Sequence, residues 1–105
     1  MKLNKQKVYD LLKTVPKGKV TTYASLARAL HTKAYRAIGQ IIRQNPNAPQ
    51  VPCHRVIQSN GMLGGYMGHT SNRFVAKKRK HLLREGVQFK KDKVAEFNHV
   101  FFEVS

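Results

Sequence analysis

The chain has 105 residues, 41% of them hydrophobic, enough for one domain built around one core. No apolar run approaches the ~18 residues of a membrane span, and the single cysteine excludes an internal disulfide, which fits an intracellular setting. Twenty Lys and Arg against five Asp and Glu leave a net charge of +15, a field that attracts polyanions and nucleic acid above all.

The opening "MKLNKQKVYDLLKTV" lacks the unbroken apolar stretch of a secretory signal. It reads instead as an amphipathic helix, with Val8, Leu11, Leu12 and Val15 at helical spacing, ended by Pro16 and Gly18. A short extended piece, "KVT", leads to Thr22, a good N-cap. The helix that follows carries Tyr23, Leu26, Ala27 and Leu30 as its apolar stripe. After "HTK" a third helix buries Ala34, Ala37, Ile38, Ile41 and Ile42, and "NPNAPQVP" breaks it. Two short helices around so brief a connection form a helix-turn-helix pattern over about residues 22–45. On the outer face of its second helix, Arg36, Gly39, Gln40 and Arg43 make a stripe suited to nucleic acid. A glycine inside a helix costs about 1 kcal/mol against alanine, so Gly39 suggests a close approach there.

Residues 58–69, "QSNGMLGGYMGH", are glycine-rich and aperiodic, and read as loop. A fourth helix is expected from about Asn72 to Arg84, stopped by Gly86, with Arg73, Lys77, Lys80 and Arg84 along one side. "VQFKKDKVAEF" reads as a hairpin around Lys91–Lys93, and "NHVFFEVS" as a terminal strand or packed tail. The fold class is therefore mainly α: a single domain over 1–105, a winged helix-turn-helix-like helical domain with short β elements and a C-terminal β-hairpin. An active-site loop over 49–69 and a tail over about 87–105 complete it.

Cys53 stands in "VPCHRVI". Structural zinc needs four ligands at regular spacing, and His31, His69, His81 and His99 show none, so no metal is expected. An inert core thiol is the ordinary fate of a lone cysteine. A reactive one needs a base or cation close by, and His54 and Arg55 adjoin it. Neighbours in an extended strand point to opposite faces, so a tight turn or a bridging water would have to connect His54 to the thiol. On the residues alone both readings stand.

"VPCHRVI" resembles the active-site signature of the O6-alkylguanine-DNA alkyltransferases. "GKVTTYASLARAL", "YRAIGQIIRQNP", "SNGMLGGYMG" and "KHLLREG" are similar to further segments of that family, so the resemblance covers roughly residues 3–90. It implies that Cys53 accepts the alkyl group, with His54 as base through a water and Glu85 orienting it. Tyr23 would donate a proton toward the departing guanine, and Asn45 would hold the cysteine loop. Arg36 would enter the base stack, with Ala37, Gly39, Gln40, Arg43 and Tyr23 meeting DNA in the minor groove. Val56, Gly64, Gly65, Tyr66, Met67 and Gly68 would line the pocket for the flipped base. The implied protein acts once on double-stranded DNA as a monomer, without cofactor or membrane. It would be cytoplasmic and nucleoid-associated in a prokaryote, nuclear in a eukaryote.

Two departures matter. Met67 and His69 stand where the family often has small residues, which bears on the alkyl groups admitted. The short length is shared with alkyltransferase-like proteins, which flip and flag lesions without accepting the group. Those typically carry tryptophan or alanine at the position of Cys53, and the cysteine with its His54 and Glu85 partners favours transfer.

Overall fold

The computed structural model describes residues 3–48, 50–64 and 72–105. Helix α1, Lys5–Lys13, begins where the Asn4 side chain accepts a hydrogen bond from the Lys7 amide and buries Val8, Leu11 and Leu12. Strand β1, Thr21–Thr22, runs directly into α2, Tyr23–Ala29, because the Thr22 hydroxyl caps the Ser25 amide at 3.1 Å. A left-handed His31 closes α2, with Thr32 N–H reaching back to the Ala27 carbonyl, and α3, Tyr35–Arg43, follows. The two helices pack on each other and α1 backs α3, where the Tyr9 hydroxyl donates to the Ile41 carbonyl at 2.8 Å.

The mainly helical class expected from the sequence holds, and so does the hairpin, whose strands β3, Phe89–Lys90, and β4, Lys93–Val94, pair antiparallel. At the chain end the packed-tail alternative holds, behind a short helix the sequence did not indicate. A four-residue helix α5, Phe97–Val100, precedes a tail in which Phe102 N–H donates to the Val20 carbonyl at 2.7 Å and Val104 is buried.

What places the site is a pairing 35 residues apart in sequence. Strand β2, Val56–Ile57, lies parallel to β1, with Thr21 opposite Val56 and Thr22 opposite Ile57. It therefore brings the start of α2 beside the segment that follows Cys53. On one side lies the core of α1, α2 and α3, into which Cys53 and Val56 pack. On the other, Val20, Ile57, Leu63, Leu82, Val87 and Val94 join β2 to α4, Asn72–Arg84, and the hairpin. Helix α4 ends as the sequence indicates, with Gly86 at φ +94° and Val87 N–H bonded to the Leu82 carbonyl. This end fixes the backbone of Glu85.

Gly18 faces that backbone. Its φ is +88°, and a Cβ there would lie 3.1 Å from the Glu85 carbonyl oxygen. Gly18→Ala should therefore cost about 1–3 kcal/mol, from left-handed strain plus the contact. Urea unfolding checks this; an unchanged midpoint would mean that the Gly18 turn relaxes freely.

Candidate active site

Cys53, His54 and Arg55 form one 3₁₀ turn, opened by Pro52 and continued by β2. With three residues per turn, successive side chains diverge by about 120°. Cys53 turns into the first core, His54 is buried toward α4, and Arg55 reaches back to the chain after α1. The two residues thus share a tight turn rather than an alternating strand.

Glu85 holds the other two side chains. Its Oε2 lies 3.0 Å from His54 Nε2, while Arg55 grips both carboxylate oxygens, Nε to Oε1 at 3.0 Å and Nη2 to Oε2 at 2.6 Å. Arg55 Nη1 also donates to the Val15 carbonyl at 2.8 Å, tying the clamp to the end of the α1 segment. Burial alone would raise the Glu85 carboxyl, but the hydrogen bonds from Arg55 and His54 more than offset it and hold it below its ordinary value. An ionised carboxylate only accepts, so Nε2 carries the imidazole proton and Nδ1 holds the lone pair. That Nδ1 is buried and has no hydrogen-bond partner among the described residues. Burial pushes His54 below its ordinary value despite Glu85, so the ring is a neutral base at pH 7.

The thiol is 4% exposed, and burial raises its pKa, so it rests protonated. Opposing this are a hydrogen bond from Asn45, the positive charge of Lys78 and a hydrogen bond from the residue's own backbone. Asn45 also donates from Nδ2 to the Val51 carbonyl at 2.8 Å and accepts from Asn47 N–H at 3.0 Å, which fixes the turn into the cysteine segment.

Lys78 was not among the residues singled out in the sequence. On α4, one residue past the exposed Lys77, it is 1% exposed and donates to the carbonyls of Val56 at 2.7 Å and Leu63 at 2.6 Å. Burial lowers it to about 8, against the pull of Cys53, so the ammonium still predominates at pH 7. Within "AKKRKH" every lysine looks solvated; only the helical spacing of position 78 to Leu82 and Glu85 marks the inward one.

Across β1, Tyr23 starts α2 half-buried, and burial with the Cys53 charge raises its phenol, keeping it a proton donor. Tyr23 and Ala24, Tyr35, Arg36 and Gly39 of α3, and Gln58 and Ser59 line an open cavity of about 610 Å³. Arg36 and Gln40 are exposed, Ala37 and Gly39 half-buried, and Arg43 is exposed at the helix end. Val56, expected in a pocket lining, is fully buried in the core, and Gln58 and Ser59 form the cavity wall beyond it. At Gly64, with φ +69°, a Cβ would lie 3.2 Å from the Gln58 side chain. Gly65, Tyr66, Met67, Gly68 and His69 lie outside the described residues. Among the described residues no group of three His, Cys, Asp or Glu is placed to hold a metal, and no helix is long and apolar enough to cross a membrane.

Residues 4–87 match the sequence pattern of the family described as 6-O-methylguanine DNA methyltransferase, DNA binding domain. The methylated-DNA–protein-cysteine methyltransferase of Candida glabrata is 48% identical over 82 residues, 77% of this chain and 37% of that protein. The constitutive enzyme of the same name from Bacillus subtilis is 45% identical over 64 residues, 60% of this chain and 39% of that one. The chain thus spans less than half the length of these curated relatives. Among solved structures, S. pombe Atl1 in complex with damaged DNA containing O6-carboxymethylguanine superposes with a TM-score of 0.78 at 26% identity, covering 97% of this chain and 98% of that one. Mycobacterium tuberculosis OGT in complex with DNA gives 0.69 at 38% identity, covering 77% and 48%.

Proposed function

The chain belongs to the 6-O-methylguanine DNA methyltransferase family through its DNA-binding domain, and on that premise we propose that it repairs O6-alkylguanine in duplex DNA by irreversible transfer of the alkyl group to Cys53. The observation that carries this reading is the buried His54, pinned through Nε2 by Glu85 and Arg55 so that its bare Nδ1 is the basic atom in the same turn as the thiol.

The chemistry follows from that geometry. The alkyl carbon is stacked inside the duplex, so the nucleotide must rotate out, at a cost of a few kcal/mol. Arg36, exposed at the rim of the cavity, replaces it in the stack, and the basic surface holds the phosphates. The Cys53 proton passes to His54 Nδ1, directly or through one water, and Glu85 stabilises the imidazolium. Sγ then bonds to the alkyl carbon as the carbon–O6 bond breaks, its electron pair going to the guanine. The Tyr23 phenol donates its proton to that departing base, and the imidazolium proton passes through solvent to the phenolate left behind. Lys78 and Asn45 stabilise the thiolate while it exists. A thioether is not reversed by thiol exchange, so each chain acts once.

The whole-chain match to Atl1 supports a second reading, recognition of the lesion without transfer. Stoichiometry separates the two. With excess duplex carrying labelled O6-methylguanine, protein-bound label should plateau at one methyl per chain. Tight binding with no label on the protein would establish the sensor instead.

A further inference from the structure

Tyr35 is one of two large hydrophobic side chains exposed among the described residues, and nothing in the chemistry at Cys53 uses it. It is the first residue of α3, directly before Arg36, and its side chain is 51% exposed while lining the cavity shared with Tyr23. Gly39 lies one turn further along the same face. Helical side chains lean toward the N-terminus, so a side chain at 39 would cover the turn of Tyr35 and Arg36. A Cβ built at Gly39 meets nothing within 4 Å. Tyr35 and Arg36 thus wall an open cavity whose floor at Gly39 carries no side chain and faces open space.

A phosphate would need only the cations of this helix. A flat apolar wall adjoining an uncovered floor fits a flat ligand with a π-face. In a duplex whose target nucleotide has rotated out, the bases that flanked or faced it have lost a stacking partner. We propose that Tyr35 is a stacking platform for such an unstacked nucleobase, a second base-contact site apart from the pocket that receives the lesion. It rests on the DNA-repair reading and adds a residue that favours the extruded state. A phenol can also hydrogen-bond, so ring and hydroxyl have to be tested separately.

The test measures binding of a duplex carrying one O6-methylguanine, and of its undamaged counterpart, by fluorescence anisotropy. It uses the full chain with Cys53→Ala to prevent transfer, alone and combined with Tyr35→Ala or Tyr35→Phe. Stacking on one aromatic predicts a loss of about 5- to 100-fold in affinity for the lesion duplex with alanine and near-unchanged affinity with phenylalanine. The ring neutralises no phosphate, so the dependence on salt stays the same. A 2-aminopurine placed opposite the lesion should be quenched by the tyrosine and phenylalanine forms and brighter with alanine. Equal affinity of all three forms overturns the proposal. So does a loss with phenylalanine as large as with alanine, or a salt slope that falls by about one phosphate contact. If the Tyr35 parent itself fails to prefer the lesion duplex, the repair reading falls and the platform with it. Normal preference with no effect of Tyr35→Ala removes the platform alone.

Discussion

Glu85→Gln should slow alkyl transfer to Cys53 by about 10²- to 10⁴-fold, the range expected when a general base loses the group that orients it. Glutamine has nearly the same shape but no charge. It can present its amide nitrogen to His54 Nε2, which frees the imidazole to take the wrong tautomer, and it leaves the Arg55 guanidinium without a counter-charge. The Glu85 side chain is 13% exposed and that of Arg55 15%, so solvent screens part of the loss. The stability cost should be roughly 2–4 kcal/mol, just under that of a fully buried pair. Acid titration gives a second signature. Glu85 is depressed in the fold, so its contribution is present above the unfolded value of 4.5 and disappears as pH falls through the folded one. His54 is also depressed, so the fold resists its protonation and loses stability as pH falls below 6.5. The wild-type chain should weaken along both limbs, and Glu85→Gln should flatten the lower one. Single-turnover transfer at neutral pH and urea midpoints from about pH 3 to 7 check both; an unaltered transfer rate would remove Glu85 from the relay.

Lys78→Met should slow the thiol and change how stability depends on pH. Without the ammonium, the Cys53 thiol rises further and its reaction at neutral pH slows, on the order of tenfold. Lys78→Arg should recover part of that rate, because the charge returns even where its hydrogen bonds to Val56 and Leu63 do not. The stability effect follows from a folded value of about 8 against 10.5 in the unfolded chain. Between those values the unfolded chain binds more protons, so wild-type stability rises with pH across the window. Below it the cost of burying the charge is present in full, about 3 kcal/mol. Lys78→Met should abolish the slope between pH 8 and 9.5, read from urea midpoints. Its iodoacetamide reactivity should show the slower thiol. A slope that survives the substitution would place its source elsewhere.

What the sequence disclosed and what it hid divide along the range of the forces involved. The first helices follow from 3.6-residue periodicity, and Thr22 and Gly86 mark their own positions, because caps are local chemistry. The hairpin at Phe89–Val94 is equally local. The start of α3 carries no such mark, since Ala34 has no capping side chain and the Thr32 hydroxyl binds the Ala34 amide instead. The β1–β2 pair has two residues per strand, too short for an alternation to register, and its partner lies far along the chain. The 3₁₀ turn at Cys53 is likewise shorter than any period. At the site, the resemblance points to Cys53, His54, Glu85 and Asn45, and the fold pairs His54 with Glu85 and Cys53 with Asn45. It did not disclose that Arg55 clamps Glu85 or that Lys78 is buried, because both depend on which face of α4 meets the turn.

Alkyl transfer to Cys53 is tested most directly by one measurement. The protein is mixed with a duplex carrying one O6-methylguanine, digested, and its peptides are weighed. The peptide containing Cys53 should be heavier by one methylene, with no other peptide changed, and Cys53→Ala should bind the duplex yet show no gain. An unmodified Cys53 peptide recovered from a protein that binds the lesion tightly would contradict transfer.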